Sequence, residues 1–268
     1  MELAISTCYD YSIPIEQSIE YISKAGFKFV SLGGRQDHSQ YHKEWGRSRI
    51  VAAAEKFGVK IDSIHAPFDP TDDLTQLEEV LRHSAVIEMK RCITACKELK
   101  VGIAILHLNS FNTSNISERL KKVRESLTEL LDFAHDNGVR LAAENLPGDN
   151  SLIILKYALE LFEDDYLGLC FDSGHAALNG DTMELLEKFP GRLLAIHLHD
   201  NDGKKDLHQL PFEGVCDLPN LAAQLNKRKT ICPITIESEV AHSAYKAPEP
   251  FLSQALEVGN RFREMLKT

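Results

Sequence analysis

Six short apolar segments of the chain each lead into a side chain that can bind a metal ion or transfer a proton. Three of these side chains are imidazoles and three are carboxylates. Imidazole and carboxylate together suit zinc, manganese, iron or cobalt better than calcium, which takes oxygen ligands. The six residues are His65, His107, Glu144, Asp172, His197 and Glu237.

Two polar segments add further candidates. The turn Asp172-Ser173-Gly174-His175 can direct its Asp and its His to one place, and His197-Leu198-His199-Asp200 is followed closely by Asp206-Leu207-His208. A solvated polar connection is the alternative explanation for the second segment. Charges that share a buried rim are costly to desolvate unless they are paired or bound to a cation. The combined pattern therefore predicts a divalent-metal centre.

Apolar runs rich in Ile, Leu and Val alternate with longer segments of helical period, and eight such pairs can be counted. Gly26, Gly58, Gly102 and Gly138 fall between a helix and the next strand, where a left-handed residue is expected to end the helix. Strands are predicted at 3–7, 28–32, 59–65, 101–107, 139–144, 166–171, 193–198 and 232–237, and helices at 14–25, 47–57, 72–99, 115–137, 150–163, 181–189, 217–227 and 249–266.

This alternation predicts an α/β fold, a single (β/α)8 TIM barrel that spans residues 1–268, with its active site at the C-terminal mouth. Nearly continuous apolar runs suit strands that are buried on both faces. The rival is a doubly wound sheet, but no G-x-G-x-x-G follows the first strand to support a dinucleotide site. The candidate metal ligands then stand at the ends of strands three to eight.

Composition narrows the class of protein. Hydrophobic residues make up 43% of the 268 residues, enough for a full core. The net charge of −10 disfavours a general nucleic-acid binder, since that affinity depends on Lys and Arg. Six cysteines without a C-x-x-C pair are interpreted as buried thiols. No signal peptide or apolar run of membrane-spanning length is found, so a cytoplasmic protein with no membrane partner is expected.

The pattern resembles the xylose isomerase-like barrel superfamily, which includes sugar phosphate isomerases and epimerases, ketose 3-epimerases and the endonuclease IV family. The resemblance spans the whole chain, and the order and spacing of its motifs are more specific than any single motif. The matching segments are His65-Ala66-Pro67, Leu106-His107, Ala143-Glu144-Asn145, Phe171-Asp172-Ser173-Gly174-His175, His197-Leu198-His199-Asp200, Asp206-Leu207-His208 and Ile236-Glu237.

The resemblance implies one to three divalent ions, zinc or manganese. In epimerase-like members a central metal is held by the residues that match Glu144, Asp172, His197 and Glu237. In the endonuclease branch, the matches of His65 and His107 bind a second zinc that is bridged by the match of Glu144. The matches of His175, Asp206 and His208 bind a third.

The resemblance favours an isomerase or epimerase that acts on a small polyhydroxylated carbonyl compound by proton transfer through an enediolate. Glu144 and Glu237 are the candidate acid and base, and His175 is a candidate for holding a substrate hydroxyl. Where ketose 3-epimerases carry a substrate-binding Arg, this chain has 200–202, Asp-Asn-Asp, which disfavours a free ketose. The segment 65–70 leads directly into a helix, where endonucleases carry DNA-recognition loops.

Two alternatives stay open: a zinc phosphodiesterase of the endonuclease type, and a barrel that binds a metabolite without catalysis. Arg35 could meet an anionic group of the substrate or lie solvated at the surface. Trp45, with Tyr41 and His42 nearby, could cover a sugar ring or serve only to pack a loop. The expected partner is a small sugar-like molecule, not nucleic acid, and homo-oligomer formation is left open.

Overall fold

Eight parallel strands close into a barrel in which each strand pairs with its neighbours in chain order, and β8 pairs with β1. The structure is a computed structural model that describes residues 2–110, 114–180, 183–228 and 232–266. The predicted (β/α)8 barrel is confirmed. The strands are β1 (Leu3–Ser6), β2 (Phe29–Leu32), β3 (Lys60–His65), β4 (Ile103–Leu106), β5 (Arg140–Glu144), β6 (Leu167–Asp172), β7 (Leu193–Leu198) and β8 (Ile234–Ile236).

The helices lie outside the strands and cover them. Their apolar faces supply most of the core, for example Leu127 and Leu130, which are fully buried. The helices are α1 (Ile15–Ala25), α2 (Gln36–Ser39), α3 (Glu44–Phe57), α4 (Glu79–Glu98), α5 (Ile116–Asn137), α6 (Asp149–Leu161), α7 (Ser173–Leu178), α8 (Glu184–Lys188), α9 (Leu218–Arg228) and α10 (Pro248–Met265). Among the described residues, no helix is both long and apolar enough to cross a membrane.

The barrel interior holds its own apolar cluster, which forms a floor beneath the mouth. Because side chains two positions apart on a strand share a face, the floor residue of a strand is followed at the mouth by a polar one. Ile105 of β4 thus precedes His107 just beyond the strand, and Ala142 precedes Glu144 on β5. The cluster consists of Ile103, Ile105, Ala142, Cys170, Leu194 and Ala195.

Helix α4 begins at Glu79, so the prediction of a helix from residue 72 is wrong in its first turns. Oδ1 of buried Asp73 accepts hydrogen bonds from the backbone and hydroxyl of Thr75, at 2.7 and 2.5 Å. A side chain that binds the backbone two residues further on competes with helix formation. Oδ2 of Asp73 also pairs with buried Arg119 of α5 at 3.1 Å, which holds the loop after β3 against the barrel wall.

Three of the four predicted helix-ending glycines have a left-handed backbone: Gly26, Gly58 and Gly138, with φ of 106°, 67° and 66°. The prediction for Gly102 is wrong. Helix α4 already ends at Glu98, and Lys100 takes the left-handed conformation with φ of 58°. The predicted helix 181–189 corresponds to α8, and its first two residues lie outside the described part of the chain. All six cysteines are free thiols, and five are buried.

Candidate metal centre

The polar residues predicted at the strand ends all lie at the C-terminal mouth of the barrel. His65, Glu144 and Asp172 are the last residues of β3, β5 and β6, and His197 lies in β7 one residue before its end. His107 and Glu237 directly follow β4 and β8. All six except the half-buried His107 are at least nine-tenths buried.

Four of them form a central group around the imidazole of His197. Its Nδ1 lies 2.9 Å from Oε2 of Glu237 and 3.2 Å from Oε2 of Glu144. Oδ2 of Asp172 is 4.0 Å from the same nitrogen. One ligand atom from each of the four residues lies within 4.8 Å of every other. Three carboxylates and one imidazole therefore surround a single small volume.

The donor atoms of this group fit a cation. Oε2 of Glu144, Oδ2 of Asp172 and Nδ1 of His197 are buried and make no aligned hydrogen bond within the described residues. Buried polar atoms that lie this close together without an aligned hydrogen bond are what a site for a cation provides. The ion-pair partners of these carboxylates among the described residues are all histidines. A divalent cation would neutralise this concentration of buried negative charge.

The pKa values of the group reflect the same crowding of charge. Burial alone would lower the pKa of His197, but its interactions with Cys170 and with the carboxylates of Glu237 and Glu144 raise it well above its usual value. Burial would raise the pKa values of Glu144 and Glu237, and the charge of His197 lowers both instead. Both carboxylates are therefore ionised at neutral pH, as metal ligands must be.

His65 and His107 flank the central group on the side of Glu144. Nδ1 of His65 lies 2.6 Å from the carbonyl oxygen of Ala66, so Nδ1 is assigned the proton and Nε2 keeps its lone pair. That Nε2 is 3.4 Å from Oε2 of Glu144, and Nε2 of His107 is 3.6 Å from the same oxygen. The carboxylate of Glu144 therefore faces both the central group and this histidine pair.

A second cluster lies beside the central group and contains the other three predicted ligands. Nε2 of His175 is 3.0 Å and Nε2 of His208 is 3.3 Å from Oδ2 of Asp206. His199, which is fully buried, completes this cluster. The name "second cluster" is used below for His175, His199, Asp206 and His208. The structure thus brings all nine predicted ligands to the mouth, in the central group, the flanking histidine pair and the second cluster.

Several residues of the site were not predicted. His199 could have been found from sequence, because it stands two positions after His197 at the end of one strand. Asn145 exchanges two hydrogen bonds with the backbone of Asp172, at 2.7 and 3.0 Å. The buried hydroxyl of Tyr41 donates to the carbonyl oxygen of His65 at 3.0 Å. Both residues hold candidate ligands in place, and their contacts depend on long-range folding that no local pattern reveals.

Arg35 and Trp45 have packing partners of their own. The guanidinium of Arg35 lies over the ring of Tyr11, 4.9 Å from its centroid, and borders a cleft of about 740 Å³ between the loops that follow β2 and β3. Trp45 is about half exposed and packs against Lys43 and Arg49. Phe68 connects the cleft to two candidate metal ligands, because the centroid of its ring lies 5.2 Å from those of His65 and His107.

Fold and site together define a (β/α)8 barrel with a histidine and carboxylate cluster at its C-terminal mouth. The model of one protein family, the xylose isomerase-like TIM barrel, matches residues 19–261. The chain belongs to this family.

Related proteins match this chain over nearly their full length. Fructoselysine 3-epimerase of Shigella flexneri is 24% identical over 99% of this chain and 98% of that enzyme. The crystal structure of a D-tagatose 3-epimerase-like protein has a TM-score of 0.85 at 21% identity, covering 100% of this chain and 98% of the other. The IOLI protein with a bound zinc atom has a TM-score of 0.80 at 18% identity, covering 99% and 98%.

Proposed function

We propose that the protein is a metal-dependent isomerase or epimerase acting on a small polyhydroxylated carbonyl compound, such as a sugar, a sugar phosphate or a cyclitol. The observation that carries this proposal is the central group, in which three buried carboxylates face one imidazole. Two of the carboxylates, Glu144 and Glu237, come from strands with β6 and β7 between them. The similarity to fructoselysine 3-epimerase supports the substrate class.

Glu144, Asp172, His197 and Glu237 would hold the central ion, for which zinc and manganese are the candidates. Bound there, a divalent ion supplies Lewis-acid polarisation of a carbonyl group and its neighbouring hydroxyl. The apolar cluster inside the barrel lies below these ligand atoms and restricts their movement. The two hydrogen bonds between Asn145 and the backbone of Asp172 hold that residue in place. His65 and His107 would hold a second ion against Glu144 when more than one is bound.

Proton transfer is assigned to the two glutamates. Glu144 and Glu237 would take a proton from the carbon next to the carbonyl and return it on the other face. His175 would help to position the carboxylate of Glu144. Its Nδ1 lies 3.1 Å from Oε1 of Glu144, while its Nε2 faces Asp206. The cleft beside Phe68 offers space for the remote part of a substrate, and Arg35 would meet an anionic group there.

A screen of sugars, sugar phosphates and cyclitols with metal-loaded protein tests this function. We expect interconversion of at least one carbonyl compound with its isomer or epimer, followed by nuclear magnetic resonance. Activity should disappear when the metal is removed with a chelator and return when zinc or manganese is added. Binding of a sugar without turnover, unchanged by removal of the metal, would favour a non-catalytic metabolite-binding barrel.

A zinc phosphodiesterase of the endonuclease type is the second candidate. The observation that favours it is the position of His65 and His107 beside Glu144, together with the second cluster, because clustered ions can generate hydroxide and stabilise a leaving oxygen. The net charge of −10 is unfavourable for DNA, since affinity depends on neutralising phosphates.

We therefore expect weak, non-specific DNA binding that disappears at moderate salt, and no cleavage of an abasic-site duplex at catalytic rates. The measurement is an incubation of zinc-loaded and manganese-loaded protein with a labelled duplex that carries one abasic site. An undamaged duplex serves as the control. Cleavage that turns over and requires the metal would replace the isomerase proposal with the second candidate.

A further inference from the structure

Asp200 is a fully buried carboxylate two residues beyond the end of β7, and it belongs to neither the central group nor the second cluster. We propose that Asp200 is a positioning residue for the reaction: it closes the loop 201–216 and so holds Asp206 against His175. The inference rests on the proposed function, because it gives Asp200 a part in the proton transfer that is assigned to Glu144.

The carboxylate of Asp200 accepts hydrogen bonds from backbone groups at both ends of this loop. Its Oδ1 accepts the N–H groups of Asn201 at 3.0 Å and Cys216 at 2.9 Å, and its Oδ2 accepts the N–H of Phe212 at 3.1 Å. Hydrogen bonds to an ionised acceptor are roughly twice as strong as neutral ones. A buried carboxylate is costly unless such bonds satisfy it, so both ends of the loop are held to the charge of Asp200.

The backbone of Asp200 closes the inner part of the same loop. Its N–H donates to the carbonyl oxygen of Gln209 at 3.0 Å, and its carbonyl oxygen accepts the N–H of Gln209 at 2.8 Å. This antiparallel pair encloses residues 201–208, which include Asp206 and His208. The backbone pair therefore sets the ends of the segment that carries these two residues, and the carboxylate fixes the rest of the loop beside it.

The loop approaches Asp200 too closely for a side chain at residue 214. A Cβ atom on Gly214 would overlap Oδ1 of Asp200 and the carbonyl oxygen of Asn201. The N–H of the neighbouring Val215 donates to that same carbonyl oxygen at 3.0 Å. Glycine is the residue that permits such a close approach of two backbone segments, so Gly214 is a condition for the contact between the loop and Asp200.

The closed loop connects Asp200 to the proton-transferring groups. Oδ2 of Asp206 is 3.0 Å from Nε2 of His175, and Nδ1 of His175 lies 3.1 Å from Oε1 of Glu144. The side chain of Asp206 is one-third exposed, so its position depends on the anchored ends of the loop more than on packing around it. A misplacement of about 1 Å at the reacting groups, caused by a change far from them, can lower a rate by about 10²-fold. Asp200 therefore acts on Glu144 through Asp206 and His175.

Asp200→Ala is expected to lower kcat about 10²-fold in the metal-loaded protein, and Asp200→Asn, which keeps one accepting oxygen, to lower it less. The isotope effect for a substrate deuterated next to its carbonyl should rise, because proton transfer becomes slower. Asp202→Asn is the matched control, since this exposed carboxylate of the same loop bonds the N–H groups of Lys204 and Lys205. If Asp200→Ala does not fold, Gly214→Ala disturbs the same contact and replaces it. A kcat equal to that of the control, or a lower kcat with an unchanged isotope effect, would overturn the proposal.

Nuclear magnetic resonance of the full zinc-loaded chain tests the same positioning without a substrate. We expect Asp200→Ala to lose the hydrogen-exchange protection of the Phe212 and Cys216 amides and to shift the ring signals of His175. Asp202→Asn should leave both unchanged. Unchanged ring signals of His175 in the folded Asp200→Ala protein would refute the inference. If the screen finds no substrate, the proposed function fails, and the ring signals still decide whether Asp200 positions His175.

Discussion

Glu237→Gln is expected to lower the rate of proton exchange between substrate and solvent by about 10²–10⁴-fold, the usual range for removal of a general acid or base. The amide keeps the shape of the side chain and one oxygen for the metal, but it cannot accept the proton. The backbone around residue 237 is fixed by Leu198 and His208, so the position of the side chain should be retained. The measurement is deuterium uptake at the carbon next to the carbonyl, compared with substrate affinity.

Metal content has to be measured in the same samples, because Glu237 is assigned both as ligand and as base. The matched control is Glu239→Gln, which alters a partly exposed carboxylate two residues further along the chain. The control should exchange at the rate of the wild type. Full activity of the metal-loaded Glu237→Gln protein would remove Glu237 from the mechanism.

His197→Ala is expected to release the central ion. Nδ1 of His197 faces all three carboxylates, so its loss removes the nitrogen ligand and leaves buried negative charges that repel one another. Affinity should fall by more than the roughly 10–100-fold seen when an outer-shell partner is lost. Elemental analysis after dialysis against limiting zinc should show one ion per chain fewer than in the wild type.

The control for this variant is His135→Ala, since His135 lies at a half-exposed position on α5. Circular dichroism would establish that both variants fold. Equal metal content in the wild type and the folded His197→Ala protein would mean that the central group is not a metal site. Retention of zinc by the second cluster in this variant is compatible with the account, because the two groups use different ligands.

The barrel could be predicted from the sequence because a buried parallel strand is apolar on both faces and therefore stands out as a short continuous run. Ile103 to Leu106 is such a run, and it forms β4 as expected. Every observed strand lies within two residues of its predicted bounds. Parallel strands in a barrel also end at the same mouth. The positions of the apolar runs therefore allow us to predict that polar residues far apart in the sequence lie close together.

Local side-chain chemistry limited the prediction elsewhere. Residues 72–78 have the composition of a helix, but Asp73 bonds Thr75 and Arg119 and holds the segment as a loop. The Arg119 contact joins residues 46 positions apart, which no local period can reveal. The same applies to Tyr41 and Asn145, whose roles in holding His65 and Asp172 exist only in the folded chain.

The central claim is that a metal ion at the barrel mouth enables proton transfer at a carbon next to a carbonyl group. It is tested most directly by incubating the substrate found in the screen with wild-type protein in deuterated water, once metal-loaded and once metal-stripped. The account predicts that the metal-loaded protein introduces deuterium at that carbon at a rate comparable to turnover, and that the stripped protein introduces none. Complete turnover without deuterium in the product, or equal labelling by the stripped protein, would contradict it.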